Sequence, residues 1–164
     1  MSYVIGTSLG LLICCVLLHY EALRLIGGTA AGMRQPRHAV LVVIFGVVCA
    51  HILEMVLYSL ALWLGHKLGV GTLTGSTHLR AAQYFYLSAE VYTTLGLGDI
   101  YPTGDLRLIA ALEPLVGMLL IGWSGSYTYL AVQRYWPKLN DSSSMSLPRC
   151  RACDGRVSRR GRSH

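Results

Sequence analysis

Three long apolar stretches constrain this chain more than any other feature of its sequence. They run over about residues 3–26, 39–64 and 106–132. An α-helix rises about 1.5 Å per residue, so each stretch is long enough to cross the roughly 30 Å hydrocarbon core of a bilayer. A fourth apolar stretch, residues 79–93, is too short to cross. The sequence therefore predicts an all-α membrane protein with three transmembrane helices.

The composition supports a membrane protein and argues against a nucleic-acid-binding one. Of the 164 residues, 53% are hydrophobic and only 13% are charged, which is too apolar for an ordinary soluble domain. The net charge is +6, and eight of the 14 Lys and Arg residues lie from Arg134 onward. That basic tail has no folded nucleic-acid-binding domain and no interleaved aromatic residues. We expect it to meet membrane lipid, anionic lipid in particular, and no nucleic acid.

The distribution of basic residues also predicts the orientation. The first loop carries Arg34 and Arg37, and the tail after the third stretch is basic, so both are expected on the cytoplasmic side. The N-terminus then lies outside, in a multi-pass protein of the plasma membrane, the inner membrane of a bacterial cell. We divide the chain into residues 1–38 (N-terminal transmembrane helix and cytoplasmic loop), 39–136 (the second and third long stretches with the short stretch between them) and 137–164. The last part is Ser-, Arg- and Gly-rich and is expected to be disordered.

A glycine-containing segment follows the short apolar stretch. It reads Thr93-Thr94-Leu95-Gly96-Leu97-Gly98-Asp99. Glycine adopts positive φ without steric penalty, so successive carbonyl groups in such a segment can point the same way. A ring of carbonyl oxygens from several chains can replace the water shell of a cation. Since the chain has one such segment, a ring implies a homotetramer with cyclic symmetry.

The residues around this segment resemble a known family. Ser88-Ala89-Glu90-Val91-Tyr92 precede it and Ile100-Tyr101-Pro102 follow it. Together the 15 residues from 88 to 102 are similar to the pore motif of the potassium channel pore-domain family, in its bacterial form of two helices and a pore loop. The present chain has an extra helix at its N-terminus. A motif match of this length is far more specific than a bare Gly-x-Gly.

The resemblance implies a re-entrant pore helix and a selectivity filter between the second and third transmembrane helices, in a tetrameric pore. It implies potassium as the permeant ion, no cofactor and no enzymatic activity. The implied ion-binding residues are Thr94, Leu95, Gly96, Leu97 and Gly98. The implied supporting residues are Glu90, Tyr92, Thr93 and Asp99. The side chains of Leu95 and Leu97 are expected to point away from the ion into aromatic packing.

Glu90 and Asp99 leave two interpretations open. Acidic residues at these positions contact each other behind the filter in some bacterial relatives, and two carboxylates that close cannot both ionise cheaply. One would then hold a proton and make the filter sensitive to pH. In the alternative interpretation, Asp99 is solvated at the mouth and Glu90 bonds backbone amides.

Leu97 departs from the family pattern, which usually has Tyr or Phe at this position. Leucine keeps the carbonyl group but loses the aromatic brace that helps to hold the filter's width. Gly-Leu-Gly filters occur in some two-pore-domain potassium channels. Leu97 therefore leaves a weakly selective cation channel as one alternative to a potassium-permeable channel. A second alternative is a non-conducting channel subunit that retains the pore motif for assembly.

The third stretch holds candidate hinge residues. Gly122 and Gly125 are our candidates for a gating hinge, and the alternative is close helix packing through small residues. In the same stretch, Glu113 is expected to pair with Arg107 or Arg80.

Two ionisable residues interrupt the second stretch. His51 and Glu54 are three residues apart, so they share one face of a helix. Ionisable residues at membrane depth are often functional, and this pair is a candidate for pH sensing. The alternative is a structural pair, bonded to each other or to Tyr or Ser residues of the first helix.

Two further motifs carry weaker hypotheses. Gly122-Trp123-Ser124-Gly125 resembles the nucleophile motif of rhomboid intramembrane proteases, with His51 as the base, although three helices are too few and His51 precedes the serine. Cys150 and Cys153 form a C-x-x-C pair, which is half of a zinc site.

Overall fold

Three long helices and one short helix make up most of the described chain. The structure, a computed structural model, describes the backbone of residues 2–75 and 80–144 and the side chains of residues 4–75 and 80–135. The elements in order are α1 (Ser2–Ala31), α2 (Pro36–Lys67), β1 (Leu73–Thr74), α3 (Ala81–Tyr92), β2 (Tyr101–Pro102) and α4 (Leu106–Ser144).

The three long helices are the expected membrane spans. Val4–Ala31, Pro36–Lys67 and Leu106–Tyr135 are each long and apolar enough to cross a bilayer, which confirms the prediction of three spans. The start of α2 follows from its sequence, because Pro36 has a fixed φ suited to the first turn and lacks an N–H that would be unpaired there. The fourth apolar stretch forms the 12-residue helix α3, about 18 Å long and too short to span.

Helix α4 extends further than the sequence predicts. It continues to Ser144, so the expectation that irregular chain begins at residue 137 is wrong for residues 137–144. The expectation rested on the composition of the tail, which is rich in Ser, Arg and Gly and has few apolar residues. A long helix can pass through a proline with a local kink, and α4 passes through both Pro114 and Pro137.

Helix α1 packs against α2 and α4, and α3 also packs against α2 and α4. One buried cluster contains residues of all four helices. Its members include Val4, Cys15, Tyr58, Leu62, Tyr84, Leu87, Leu106, Ile109, Val116 and Leu120. A second cluster joins α1 to α2 and α4 at the other end of the helices. Its members are Leu23, Ile26, Ala30, Ala39, Val43, Val47 and Tyr135.

A two-residue antiparallel ladder connects the chain before α3 to the chain after the 93–99 segment. Leu73 pairs with Pro102 and Thr74 pairs with Tyr101. The connection continues with the N–H of Thr103, which donates to the carbonyl of Thr72 at 2.7 Å. The segment between α3 and α4 is therefore fixed at both ends, by the helix on one side and by this ladder on the other.

Candidate functional site

The candidate site begins where α3 ends. The N–H of Thr93 donates to the carbonyl of Ala89 at 3.2 Å, and the N–H of Thr94 donates to the carbonyl of Val91 at 3.0 Å. These hydrogen bonds belong to the last helical turn, and the chain leaves the helix at Thr94. Beyond this point the chain no longer has helical partners, so the direction of each following N–H group has to be set in another way.

Glu90 sets that direction. Its carbonyl oxygen accepts hydrogen bonds from the N–H of Leu95 at 2.8 Å and of Gly96 at 3.2 Å. Its side-chain carboxylate accepts hydrogen bonds from the N–H of Leu97 and of Gly98. The N–H groups of residues 94 to 98 are thus all directed back at the last turn of α3.

The direction of the N–H groups determines that of the carbonyl groups. The described chain contains no cis peptide bond, and in a trans peptide the C=O is antiparallel to the N–H of the next residue. The carbonyl groups of residues 93 to 97 therefore point away from α3, on one side of the segment. This column of carbonyl oxygens is what a cation-binding ring needs from each chain.

The backbone conformation fits this arrangement. Positive φ occurs at every second residue, at Thr94 (62°), Gly96 (57°) and Gly98 (77°). For the two glycines this conformation carries no steric penalty. For Thr94 it is strained, because a β-branched residue in the left-handed region costs on the order of 1–2 kcal/mol. Strain of this kind persists where the surrounding bonds fix the backbone, as the bonds to the end of α3 do here.

The side chains of Leu95 and Leu97 lie outside the core of the single chain. They are 65% and 60% exposed. Of the aromatic residues in α3, Tyr84 and Tyr92 are buried in the chain's own core, and Phe85 and Tyr86 are partly exposed. A single chain therefore does not enclose the two leucines in aromatic packing, and any such packing has to come from another chain.

Glu90 and Asp99 combine features of both interpretations. Glu90 is buried and its carboxylate bonds the backbone, while Asp99 accepts a hydrogen bond from the hydroxyl of Tyr86 at 3.1 Å. Burial raises the pKa of Glu90, and the nearby charge of Asp99 raises it further. No hydrogen bond joins the two carboxyl groups in the described part of the chain, and Oε2 of Glu90 has no partner there.

The comparison with known protein families agrees with this geometry. The model of an ion channel family matches residues 38–133, more than half of the chain. The chain belongs to this ion channel family. The family comprises channels with two transmembrane helices and includes potassium channel pore domains. No curated protein and no solved structure matches the chain.

The match includes residues of three of the four helices. It covers nearly all of α2, the whole of α3, the carbonyl segment and α4 as far as residue 133, and it leaves α1 outside. The family consists of ion channels rather than enzymes. What α1 adds to the channel has to be inferred from its own contacts.

Those contacts centre on a buried polar cluster of five side chains from all four helices. Its members are His19 of α1, His51 and Glu54 of α2, Tyr92 of α3 and Ser124 of α4. The Glu54 carboxylate is fully buried at the centre. Its Oε1 lies 2.7 Å from Nδ1 of His19, and its Oε2 lies 3.1 Å from Nδ1 of His51 and accepts the hydroxyl proton of Tyr92.

The cluster contains residues that the sequence did not single out. The structure brings His51 and Glu54 together as expected, but it adds His19, whose Nε2 lies 3.0 Å from Oγ of Ser124. The criterion that singled out His51 applies equally to His19, since His19 is also an ionisable residue inside a membrane span. The expected Tyr partner also comes from α3 and not from the first helix.

The protease hypothesis does not fit the cluster. Ser124 lies against His19, so His51 does not serve as its base. Ser124 is 3% exposed and lies within α4, where backbone N–H groups bond carbonyls one turn earlier. Such groups are not free to form an oxyanion hole, which acyl transfer requires.

A second buried acid lies between α3 and α4. Glu113 is fully buried, and its Oε1 bonds the hydroxyl of Ser88, which also lies 2.9 Å from the carbonyl of Met55. The expected pairing of Glu113 with an arginine is therefore wrong. Arg107 instead donates to the carbonyl of Pro102 at 3.2 Å, because it lies at the start of α4 while Glu113 bonds Ser88 of α3.

The two candidate hinge glycines of α4, Gly122 and Gly125, have open space around them. A Cβ atom placed on Gly122 or Gly125 would meet nothing within 4 Å, so neither glycine is needed for packing within the chain. Both stay candidates for a hinge.

Cys150 and Cys153, the candidate zinc ligands of the tail, lie outside the described residues.

Proposed function

We propose that this protein is a homotetrameric, potassium-permeable channel whose selectivity filter is formed by Thr94–Gly98. The observation that supports this most directly is the column of carbonyl groups from residues 93 to 97, all directed away from α3. Four such columns around one axis would surround a dehydrated cation with oxygen atoms, as the hydration shell does in water. The permeant ion is K⁺, and no cofactor is required.

The exposed position of the column supports assembly with cyclic symmetry. A single column lies on the surface of the chain and cannot enclose an ion. Leu95 and Leu97, on the same segment, have most of their side-chain surface uncovered. A ring of identical subunits covers such a surface, because each subunit presents the same patch to its neighbour.

The position of α3 supports a re-entrant pore helix. Helix α3 is too short to span and lies between two helices that do span. Irregular backbone such as the 93–99 segment is tolerated at membrane depth only where it is buried in protein or lines a water-filled cavity. The C-terminal end of a helix carries partial negative charge, so the end of α3 favours a cation near the inner end of the filter.

The proposed orientation follows from the positions of basic residues in the fold. The α1–α2 loop carries Arg34, Arg37 begins the next helix, and the basic residues of the tail follow α4. These ends face the cytoplasm, and the N-terminus and the filter's mouth face outside the plasma membrane. The tail is also the part of the chain that we expect to meet anionic lipid.

Leu97 supports a second candidate, a weakly selective cation channel. The filter of a potassium channel discriminates through the positions of its carbonyl oxygens. Leu97 is exposed, and its side chain offers no hydroxyl to brace the filter from behind. A wider or softer ring would pass Na⁺ as well as K⁺.

The reversal potential in planar bilayers tests both candidates. The purified tetramer is placed between potassium on one side and sodium on the other. A reversal near the potassium equilibrium potential, with block by Ba²⁺, supports a selective channel. A reversal near zero with cation current supports the weakly selective channel. A tetramer that carries no current over a wide range of voltage and pH contradicts both and leaves the non-conducting subunit.

A further inference from the structure

We propose that His19, His51 and Glu54 form a binding site for a divalent transition-metal ion of the Zn²⁺ class. The site lies at the junction of α1, α2 and α3. It goes beyond ion conduction, because metal binding at this position requires neither an open pore nor a selective filter.

The positions of the three side chains are suitable for coordination. One ligand atom from each residue, a ring nitrogen of each histidine and a carboxylate oxygen of Glu54, lies within 4.8 Å of the others. Tetrahedral Zn²⁺ with bonds of about 2.0–2.1 Å to nitrogen and oxygen requires ligand atoms about 3.3 Å apart. Nδ1 of His19 is now 2.7 Å from Oε1 of Glu54, and Nδ1 of His51 is 3.1 Å from Oε2, so the two histidines face different oxygens of one carboxylate. Metal binding would replace these two hydrogen bonds and requires the ligand atoms to adjust until the ion fits between them.

The ligand types select the class of metal. Two imidazoles and one carboxylate suit Zn²⁺ and its neighbours in the first transition series, whereas Mg²⁺ and Ca²⁺ prefer oxygen ligands alone. Potassium also binds oxygen, so the permeant ion would not compete effectively for this site. The hydroxyl of Tyr92 lies 2.9 Å from Nδ1 of His51, and it or a water molecule can take the fourth position.

Ser124 fits the role of an outer partner. Its Oγ lies 3.0 Å from Nε2 of His19 and can accept a hydrogen bond from the Nε2–H. A histidine that holds its proton on Nε2 has the lone pair of Nδ1 free for a metal. Partners of this kind fix the tautomer and the ring orientation of metal-binding histidines.

The charges around the site also favour a cation. Glu54 is fully buried, and its bonding partners in the described part of the chain are two histidines and a tyrosine, with no Lys or Arg among them. A buried carboxylate needs a positive partner to be ionised at low cost. A divalent ion would supply that charge. The side chain of His51 is 13% exposed, whereas those of His19 and Glu54 are fully buried.

A bound metal would join α1 to the end of the pore helix. His19 is in α1, which lies outside the family match, while His51 and Glu54 are in α2. Tyr92 contacts both α2 residues and stands two positions before Thr94. Because a ligand that binds only the folded chain stabilises it, metal should raise the melting temperature of the tetramer.

Cobalt binding gives a direct test. Co²⁺ takes the place of Zn²⁺ and has visible absorption bands that report tetrahedral coordination. The tetramer is purified without a histidine tag and with Cys150→Ser and Cys153→Ser, so that the tail cannot contribute thiolates. We expect one Co²⁺ per chain with tetrahedral bands, and displacement of Co²⁺ by Zn²⁺.

Single substitutions assign the ligands. His19→Gln, His51→Gln and Glu54→Gln should each lower Zn²⁺ affinity by more than about 100-fold, and Ser124→Ala by about 10- to 100-fold. His66→Gln is the matched control, because His66 bonds the carbonyl of Gly71 near the outer end of α2 and should leave binding unchanged. His51→Cys should keep cobalt binding and add a sulfur-to-cobalt charge-transfer band, which a purely structural role would not produce.

The proposal is overturned if the tetramer shows no tetrahedral cobalt bands. It is also overturned if binding survives the three glutamine substitutions, or if His66→Gln removes binding as fully as His19→Gln. Because binding is read from spectra and stoichiometry, a protein that conducts without binding metal contradicts this site alone. A protein that binds metal without conducting contradicts only the proposed channel activity.

Discussion

The carbonyl oxygen of Tyr92 lies so close to Gly117 that a Cβ atom at position 117 would stand 2.1 Å from it. Helix α4 therefore passes directly behind the end of α3, at the point where the filter segment starts. Gly117→Ala should force the two helices apart, because neither side of the contact is a flexible side chain. Overpacking of this kind costs about 1–3 kcal/mol. We expect a lower melting temperature of the tetramer and a smaller potassium flux into liposomes.

The control for this substitution is Gly10→Ala in α1, where a Cβ atom would meet nothing within 4 Å. Equal melting temperatures and fluxes for Gly117→Ala and Gly10→Ala would show that the contact does not constrain the filter.

Gly96→Ala should abolish conduction without unfolding the protein. Gly96 has a φ of 57° and open space around its Cβ position, so the alanine side chain meets no clash with its surroundings. The strain is in the backbone and costs on the order of 1–2 kcal/mol per chain. Relief of that strain rotates peptides of the carbonyl column. The measurement is liposome flux together with size-exclusion elution, and a variant that conducts like the wild type would contradict the assignment of the filter.

The stability of the tetramer should depend on pH through Glu90. Burial, and then the charge of Asp99, raise the pKa of Glu90 above its ordinary value of 4.5. As pH rises, the unfolded chain therefore loses this proton before the folded chain does. The resulting stabilisation is fully present below about pH 4.5 and is lost as pH rises through the raised pKa.

Asp99→Asn removes one of the two causes of the raised pKa. We expect the melting temperature of this variant to fall over a lower pH range than that of the wild type. Glu21→Gln is a suitable control, because Glu21 pairs with Arg24 on the exposed surface of α1 and should leave that range unchanged. An unchanged range in Asp99→Asn would mean that the two carboxyl groups do not interact.

Ser88→Ala should destabilise the channel through Glu113. The Ser88 hydroxyl is the partner of Oε1 of the buried Glu113, whose Oε2 has no partner in the described part of the chain. Removal of one partner leaves a buried polar atom unsatisfied, at a cost of about 1–3 kcal/mol. Replacement of both partners by apolar groups can be nearly neutral, so Ser88→Ala with Glu113→Leu should be more stable than Ser88→Ala alone. Unfolding free energies measured in detergent give the comparison, and additive losses would contradict it.

The sequence predicted the features that depend on local composition. Three membrane spans follow from hydropathy and length, and the glycines of the 93–99 segment indicated a column of carbonyl groups. The sequence did not indicate positive φ at Thr94, because a β-branched residue disfavours it and only the bonds to the end of α3 fix it there. The full length of α4 was also missed, because the Ser-, Arg- and Gly-rich composition of the tail indicated disorder from residue 137.

The partners of buried polar residues depend on which helix faces meet, and a sequence pattern does not give that. Glu113 was expected to pair with Arg107 or Arg80, whereas it bonds Ser88, 25 residues away. His19 and Glu54 are 35 residues apart, and His19 and Ser124 are 105 apart. Only the packing of α1 across α2 and α4 brings these residues into one cluster.

The two-residue ladder between Leu73–Thr74 and Tyr101–Pro102 has a consequence for how the channel is built. Since the ladder and α3 belong to the same chain, each subunit of the proposed tetramer can order its part of the proposed filter while still a monomer. Association of four subunits would then bring together parts that are already ordered, and the entropic cost of ordering them would fall on the folding of the monomer and not on assembly. A newly made subunit could join a tetramer without any rebuilding of the filter segments already in place.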